Sequence, residues 1–505
     1  MRPRREPVYA RTTEGGTVSF HRTSSGATPD SEVGLRTDAI GFGDTVVLAM
    51  ASSGPTQSIA ASLAAILIAV SYAGFLPILI CFVPMIGIAL GYQRLNAWQP
   101  SAGATYSWVG RAVNPHAGFF SGWIMLMYYT IGTVSLTPIL GSYLLSFFSN
   151  AAANNSTDTA IVGTLFNLLV LAIAALGIKL SARFQWLWAF FEYLVLAGFS
   201  VAAVVLIYTN HISHSVKMSS SWFSVGGAGG FHALLGGILI AIFLYSGWDT
   251  AAYVGEEVKA RRAGSAALTS VVLLFVVYSV GVIALQGIAP NATIQAHAGN
   301  VLALVGQKIG GTFWQDVMIV AVLGGTLASL QAAIVSAARI SFAMGRDRVF
   351  PGWFGRVSAK YRTPMNATIL MGLLNVVFLW GSVLVGSIGT ALSDVVSTLG
   401  LMAAMFYLLT AATAVWYYRR TVTSSVSNFI LGGVLPTFGA AFMAFVIIYE
   451  LATGALNGVE LSFGLGVAAF GIVLSFVSSR VGKAAFYSDP TSSHGDTIDT
   501  DLGSA

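Results

Sequence analysis

The sequence predicts an all-α integral membrane protein of twelve transmembrane helices, the first and sixth of them discontinuous. Three observations carry this. Of the 505 residues, 55% are hydrophobic and only 9% are charged, whereas soluble domains carry roughly a quarter charged residues. Apolar stretches of about 20 residues recur along the chain, each long enough to cross a hydrocarbon core of roughly 30 Å as a helix. Finally, 23 of the 25 Lys and Arg residues fall in alternate loops and tails, the bias that orients membrane helices. Soluble classes, nucleic-acid binders included, are excluded at this step. A single cysteine, Cys81, excludes an internal disulfide framework and a zinc site built from several thiolates.

Residues 1–39 are rich in Arg, Ser, Thr, Gly and Pro and contain no apolar run, so a disordered cytoplasmic tail is expected there with no cleaved signal peptide. The apolar spans follow at about 43–68, 74–94, 117–148, 160–178 and 183–209, which places a first group of five within 40–210. A second group of five, within 231–416, covers about 232–257, 265–289, 313–343, 365–385 and 393–416. Two more spans, about 427–451 and 459–479, lie within 427–480, and a polar tail covers 486–505. Among the basic residues only Lys217 and Lys308 sit on the opposite side. Both termini are therefore expected in the cytoplasm, with the chain in the plasma (inner) membrane.

Two spans are broken near their middles. In the first, Val46–Ala51 meets Ser52-Ser53-Gly54-Pro55-Thr56-Gln57-Ser58 before apolar character resumes. In the sixth, Ile238–Leu244 meets Tyr245-Ser246-Gly247-Trp248-Asp249-Thr250. Unpaired backbone amides at this depth are tolerated only where they face protein or a wet cavity. The breaks are five spans apart, as an inverted repeat of spans 1–5 and 6–10 requires, and such a matched pair points to the central site of a transporter. Taken singly, each break also fits the general tolerance of membrane helices for Gly and Pro.

The breaks suit a particular ligand. Pro55 pre-sets the first turn of a second half-helix. Amides around Ser53, Gly54 and Thr56, at the positive end of that half-helix, suit a carboxylate. Carbonyls released where the first half-helices end, near Ala51 and Tyr245, suit an ammonium. Together they match an α-amino-acid headgroup, and Ser52, Ser246, Gly247 and Trp248 join the candidate substrate-binding set.

Three stretches carry a family resemblance. Phe243-Leu-Tyr-Ser-Gly-Trp-Asp-Thr-Ala-Ala-Tyr-Val-Gly-Glu-Glu-Val-Lys259 is similar to the sixth helix of the amino acid–polyamine–organocation (APC) superfamily permeases. Pro100-Ser-Ala-Gly-Ala-Thr-Tyr-Ser-Trp108 with Gly118-Phe-Phe-Ser-Gly-Trp123 resembles that family's connection between helices 2 and 3. Ser341-Phe-Ala-Met-Gly-Arg-Asp-Arg348, continuing through Pro351, Tyr361 and Asn366, resembles its loop after helix 8. The resemblance implies a five-plus-five inverted repeat of leucine-transporter type, alternating access, and proton-coupled uptake or exchange of amino acids or amines. It also implies that Phe243 closes over the substrate. The chain departs from the family pattern in helix 5, where an acid, Glu192, stands near the place of a coupling lysine.

Of the 20 acidic residues, only Glu192 and Asp249 lie well inside apolar spans, and buried acids in membranes usually face a cavity or a relay. Both are candidates for proton coupling. For Asp249 the structural alternative is a helix-start cap, and for Glu192 a neutral acid bonded to a neighbouring helix. Asp394 is read as a helix-start residue. Tyr128 and Tyr129 in span 3 are further candidates against a packing role. Glu256, Glu257, Lys259, Arg261 and Arg262 read as a solvated helix end, and Arg339, Arg346 and Arg348 as topology signals, with a gate pair to Asp44 as the functional alternative. The seven His show no metal-ligand spacing, and no cofactor, metal or catalytic constellation is expected. The expected function is secondary active transport of amino acids, coupled to protons, with the substrate and the lipid bilayer as partners. A polyamine or organic-amine permease is the alternative, followed by a passive channel or a non-transporting sensor. Ser329 and Ser336 keep sodium coupling open, and no feature specifies an oligomeric state.

Overall fold

A computed structural model describes residues 34–297, 301–385, 388–453, 458–481 and 484–488. The tails expected over 1–39 and 486–505 fall largely outside the described residues, as does the side chain of Asp394. Among the described residues eleven helices are long and apolar enough to cross a membrane, and the bent pair Phe42–Ala60 and Ser62–Ala73, 62° apart, makes a twelfth when taken as one span. Span 1 comprises Phe42–Ser53 and Pro55–Val70. Spans 2 to 5 are Phe75–Trp98, Pro115–Ser146, Ser156–Leu176 and Ile178–Tyr208. Span 6 comprises Phe231–Tyr245 and a single turn, Thr250–Tyr253. Spans 7 to 10 are Ala263–Gln286, Thr312–Arg346, Met365–Val385 and Ile388–Tyr418. Spans 11 and 12 are Leu435–Thr453 and Gly458–Val481. The chain is thus an all-helical, multi-pass membrane protein with its two discontinuous helices five spans apart.

Burial follows from side-chain size. Span 8 is buried over 89% of its apolar window, whereas span 12 is buried over only 22%. Along span 8 the run Gly324, Gly325, Ala328, Ser329, Ala332, Ala333, Ser336, Ala337 keeps the surface low, so neighbouring backbones approach closely, as small residues permit between membrane helices. Spans 1, 3 and 5 pack around it. Span 5 instead turns Leu187, Phe190, Leu194 and Val201 outward, each more than 60% exposed, which is the surface a lipid environment covers.

The ends of the described chain are held by the fold. Leu35, Ala39 and Ile40 are buried. The Ala39 and Ile40 amides donate to the Glu257 carbonyl at 2.8 and 3.2 Å, and the Lys259 amide donates back to the Ile40 carbonyl at 3.0 Å. Past span 12, Phe486 is buried and stacks on Tyr106, with ring centroids 5.0 Å apart. Ordered packing therefore extends into both segments that polar composition marks as tail, because isolated apolar residues inside a polar run find pockets that composition does not register.

Candidate functional site

The break in span 1 is built by two adjacent residues. Gly54 takes φ +51°, ψ +71°, left-handed backbone that glycine adopts without the Cβ penalty. Pro55 has no amide to continue the ladder. The carbonyls released are partly claimed by neighbouring spans. Ser329 Oγ donates to the Ala51 carbonyl at 2.8 Å, and the Ser53 carbonyl accepts from Ser58 Oγ at 2.6 Å and Tyr278 OH at 3.3 Å. The first amide after Pro55, that of Thr56, donates to Glu192 Oε1 at 2.7 Å, and Thr56 Oγ1 donates to the same oxygen at 2.8 Å. Glu192 is fully buried, and its Oε2 has no hydrogen-bond partner.

In span 6 the helix stops at Tyr245. Ser246 is extended (φ −65°, ψ 150°) and Gly247 takes φ +108°. Among the described residues no donor reaches the Tyr245 or Ser246 carbonyls. Gly247 lies directly on the span-1 break: a Cβ there would sit 2.8 Å from Ser52 C and Ser53 N. Thr250 Oγ1 donates to Ser52 Oγ at 2.8 Å and lies 3.0 Å from Ser336 Oγ. The two broken segments therefore touch in the interior.

Beside this contact is a cavity of about 40 Å³, room for about three waters. Ser52, Ser53, Gln57 and Ser58 line it from span 1, and Phe243, Ser246 and Gly247 from span 6. Span 3 adds Tyr128, Tyr129 and Leu136, and span 10 adds Leu399. Among the described residues none that line it is charged.

The remaining predicted residues stand behind the wall. Gly54 and Thr56 face spans 5 and 8 through Ser329 and Glu192. Tyr245 OH donates to the Ile78 carbonyl at 3.1 Å, away from the cavity. Trp248 is stacked on Tyr407, centroids 5.4 Å apart. Asp249 is fully buried in a cage of hydroxyls: Tyr129 OH donates to Oδ2 at 3.1 Å and Tyr407 OH to Oδ1 at 3.0 Å. Tyr253 OH donates to Oδ2, and the Gly247 amide donates to Oδ1 at 3.2 Å. The Asp249 side chain accepts from no backbone amide of the turn that follows it, so the cap alternative gives way to a tyrosine cage. The Thr56 amide, expected to be free for a ligand, is taken by Glu192, since a buried carboxylate beside a helix start accepts its amides.

At their basic-loop ends, spans 6 and 8 are cross-linked. Arg339 Nε donates to Glu257 Oε2 at 2.6 Å with both side chains buried, and Arg346 Nη2 donates to Glu256 Oε1 at 2.9 Å. Asp44 takes no part. It accepts from the Gly41 amide at 2.9 Å and from Trp186 Nε1 at 2.9 Å, which corrects the Asp44 gate reading. Glu257 is 0% exposed and Glu256 only partly accessible, which corrects the solvated reading at these two acids, whereas Lys259, Arg261 and Arg262 are exposed, as that reading has them. At Glu256 burial works to raise the carboxyl, but the Arg346 guanidinium outweighs it and holds the group below the usual carboxylate range.

Sequence reasoning missed Tyr253, Tyr407, Gln57 and Leu399. Tyr253 had a signal, standing four residues after Asp249 on the same helical face. Gln57 stood inside the span-1 break itself. Tyr407 and Leu399 come from span 10, whose register against span 6 no local pattern encodes.

The matches to known proteins fit this architecture. A methylthioribose transporter of Bacillus subtilis is 22% identical over 300 residues, 57% of this chain and 62% of the relative. The branched-chain amino acid permease BcaP of the same organism is 26% identical over 304 residues, 57% of this chain and 63% of the relative. A vacuolar cationic amino acid transporter 4 of Arabidopsis thaliana is 24% identical over 308 residues, 56% of this chain and 48% of the relative. The chain thus matches less than two thirds of the length of each of these relatives. The amino acid permease family itself matches residues 40–477, nearly the whole membrane-spanning region, and the chain belongs to that family.

Proposed function

We propose that the protein is a secondary active transporter for neutral α-amino acids, working by alternating access with the substrate held between the two breaks. One observation carries the reading: a cavity with no charged lining among the described residues, bordered on one side by Ser52, Ser53, Gln57 and Ser58 around the span-1 break and on the other by Ser246, whose carbonyl no described donor reaches, and Gly247. The ammonium docks on the Ser246 carbonyl. The carboxylate faces the positive end of the half-helix, where the Ser53 hydroxyl and the Gln57 carboxamide border the cavity. Phe243, Leu136 and Leu399 supply an apolar wall for the side chain. With room for about three waters, the cavity does not hold an amino acid with a sizeable side chain unless the wall opens. In this scheme spans 1, 2, 6 and 7 rock against spans 3, 4, 8 and 9.

The polyamine reading is less well supported. A dication needs carboxylates in its site, and the nearest one, Asp249, is enclosed by three tyrosines. Asp249 and Glu192 are the proposed proton carriers, each a buried acid adjoining a break. The alternate-loop bias of Lys and Arg supports a topology with both termini cytoplasmic. Counterflow in proteoliposomes tests the whole reading: preloaded neutral amino acid is expected to accelerate uptake of the labelled species, while arginine, putrescine and a neutral sugar do not compete. Uptake without counterflow would identify a channel, and competition by putrescine alone would identify an amine permease.

A further inference from the structure

Outside the substrate site the structure holds a second, larger cavity of about 840 Å³, between the end of span 8, the loop that follows it and span 12. Its chemistry is two-sided. Arg346, Arg348 and Arg356 line it, and among the described residues no acid does. Leu474, Val477 and Val481 of span 12 form the opposite wall. Val477 and Val481 are 48% and 79% exposed, continuous with the outward apolar surface of Val473 and Phe476. Two acids beside Arg346 already have partners. Asp347 accepts from Tyr106 OH at 2.9 Å, and Glu256 is held by Arg346. Arg348 and Arg356 are exposed, and neither makes a side-chain hydrogen bond or ion pair among the described residues. Guanidinium pairs present a planar fork suited to phosphate.

We propose that this cavity binds one anionic phospholipid of the leaflet on the basic-loop face, its phosphate on Arg348 and Arg356 and an acyl chain along Leu474, Val477 and Val481. A lipid is preferred to a free anion because the cationic end opens onto a hydrocarbon-facing wall, and basic pockets between membrane helices suit anionic headgroups. The site also touches the gate. Arg346 lines the cavity and at the same time grips Glu256 at the end of span 6. Bound phosphate therefore competes for the residue that ties span 6 to span 8, and lipid composition is expected to tune transport rate.

The test uses the full chain in detergent and in nanodiscs. Native mass spectrometry of the protein mixed with equal phosphatidylglycerol and phosphatidylcholine is expected to show at least a several-fold preference for one phosphatidylglycerol. R348Q/R356Q is expected to abolish that preference while its melting temperature in phosphatidylcholine nanodiscs stays that of the parent. V477N, which removes apolar wall and keeps every arginine, is expected to weaken retention as well. Equal retention of both lipids overturns the proposal, as does a preference unchanged in R348Q/R356Q. Stabilisation by inorganic phosphate or glycerol phosphate equal to that by the intact lipid shows an anion site instead. Displacement of the lipid by a synthetic acidic peptide of residues 489–505 reassigns the cavity to the chain's own terminus and overturns it too.

Discussion

Replacing Gly247 by alanine puts a Cβ 2.8 Å from backbone atoms of Ser52 and Ser53, which cannot rotate aside, and does so at φ +108°. At Gly54 the added Cβ meets the Ser329 side chain instead, which can turn away at the loss of its bond to the Ala51 carbonyl. Gly247→Ala is therefore expected to abolish substrate binding. Gly54→Ala is expected to cost about 2–3 kcal/mol, from left-handed strain and one lost hydrogen bond, and S329G is expected to recover part of it. Thermal melts with and without substrate check both. Asp249→Asn keeps the shape but sets an amide N–H₂ among three tyrosine donors, so about 1–3 kcal/mol of lost stability is expected from the unpaired polar atoms. Transport measured across a proton gradient is expected to lose its pH dependence. Unchanged pH-dependent uptake by a folded D249N removes Asp249 from the coupling scheme. How much of this was legible differs residue by residue. Gly54-Pro55 and Ser246-Gly247 announce a backbone interruption in any apolar helix. That Trp248 faces Tyr407 while Ser246 faces the cavity depends on a rotation of the short turn Thr250–Tyr253, and no periodicity can be read from a helix of four residues.

At the scale of elements, the ends of spans 6 and 8 are joined by two ion pairs of different character. Arg339–Glu257 is buried on both sides, and removing one partner of such a pair costs about 3–5 kcal/mol because the other charge is left uncompensated. Arg339→Gln is therefore expected to favour the conformation open to the basic-loop face. Since Cys81 is the chain's one cysteine and is buried, a cysteine placed at Ser52 gives a clean readout, and faster labelling from that face is expected. Arg346–Glu256 is partly exposed, with 26% and 20% of the side chains accessible. Because the folded-state carboxyl lies below its unfolded value, the contribution of this pair is complete at neutral pH and is lost only as pH falls through the folded value. Labelling of a cysteine at Ser52, normalised for the fall in thiolate fraction, is then expected to stay flat from pH 8 to pH 6 and to rise only in stronger acid. A rise already near pH 6 would point to a different group. The sequence marked these residues as charges at a helix end. It could not show that Glu257 is withdrawn from solvent, because that depends on Ala39 and Ile40 closing over it from a segment two hundred residues away.

For the whole molecule, span lengths and their alternation with basic loops were legible because bilayer thickness and the Lys/Arg bias impose them directly. The position of span 8 at the centre was legible only in part, as a run of small residues. The partner of Asp249 on span 10 was not, because register between distant helices is set by packing. The rocking scheme has a consequence at this scale. Distances between Ser52 and Tyr245 are expected to stay constant through the cycle, while distances from either to span 8 change, which paired spin labels on the full chain would report.

The short backbone pairing of residues 39–40 with 257–259 brings one further consequence. It rivets the ends of the two discontinuous helices to each other, so in the proposed rocking scheme they are expected to pivot as a single lever. A proline at Ile40 removes one of the rivets and is expected to let the halves swing out of step, turning a two-position switch into a leaky one.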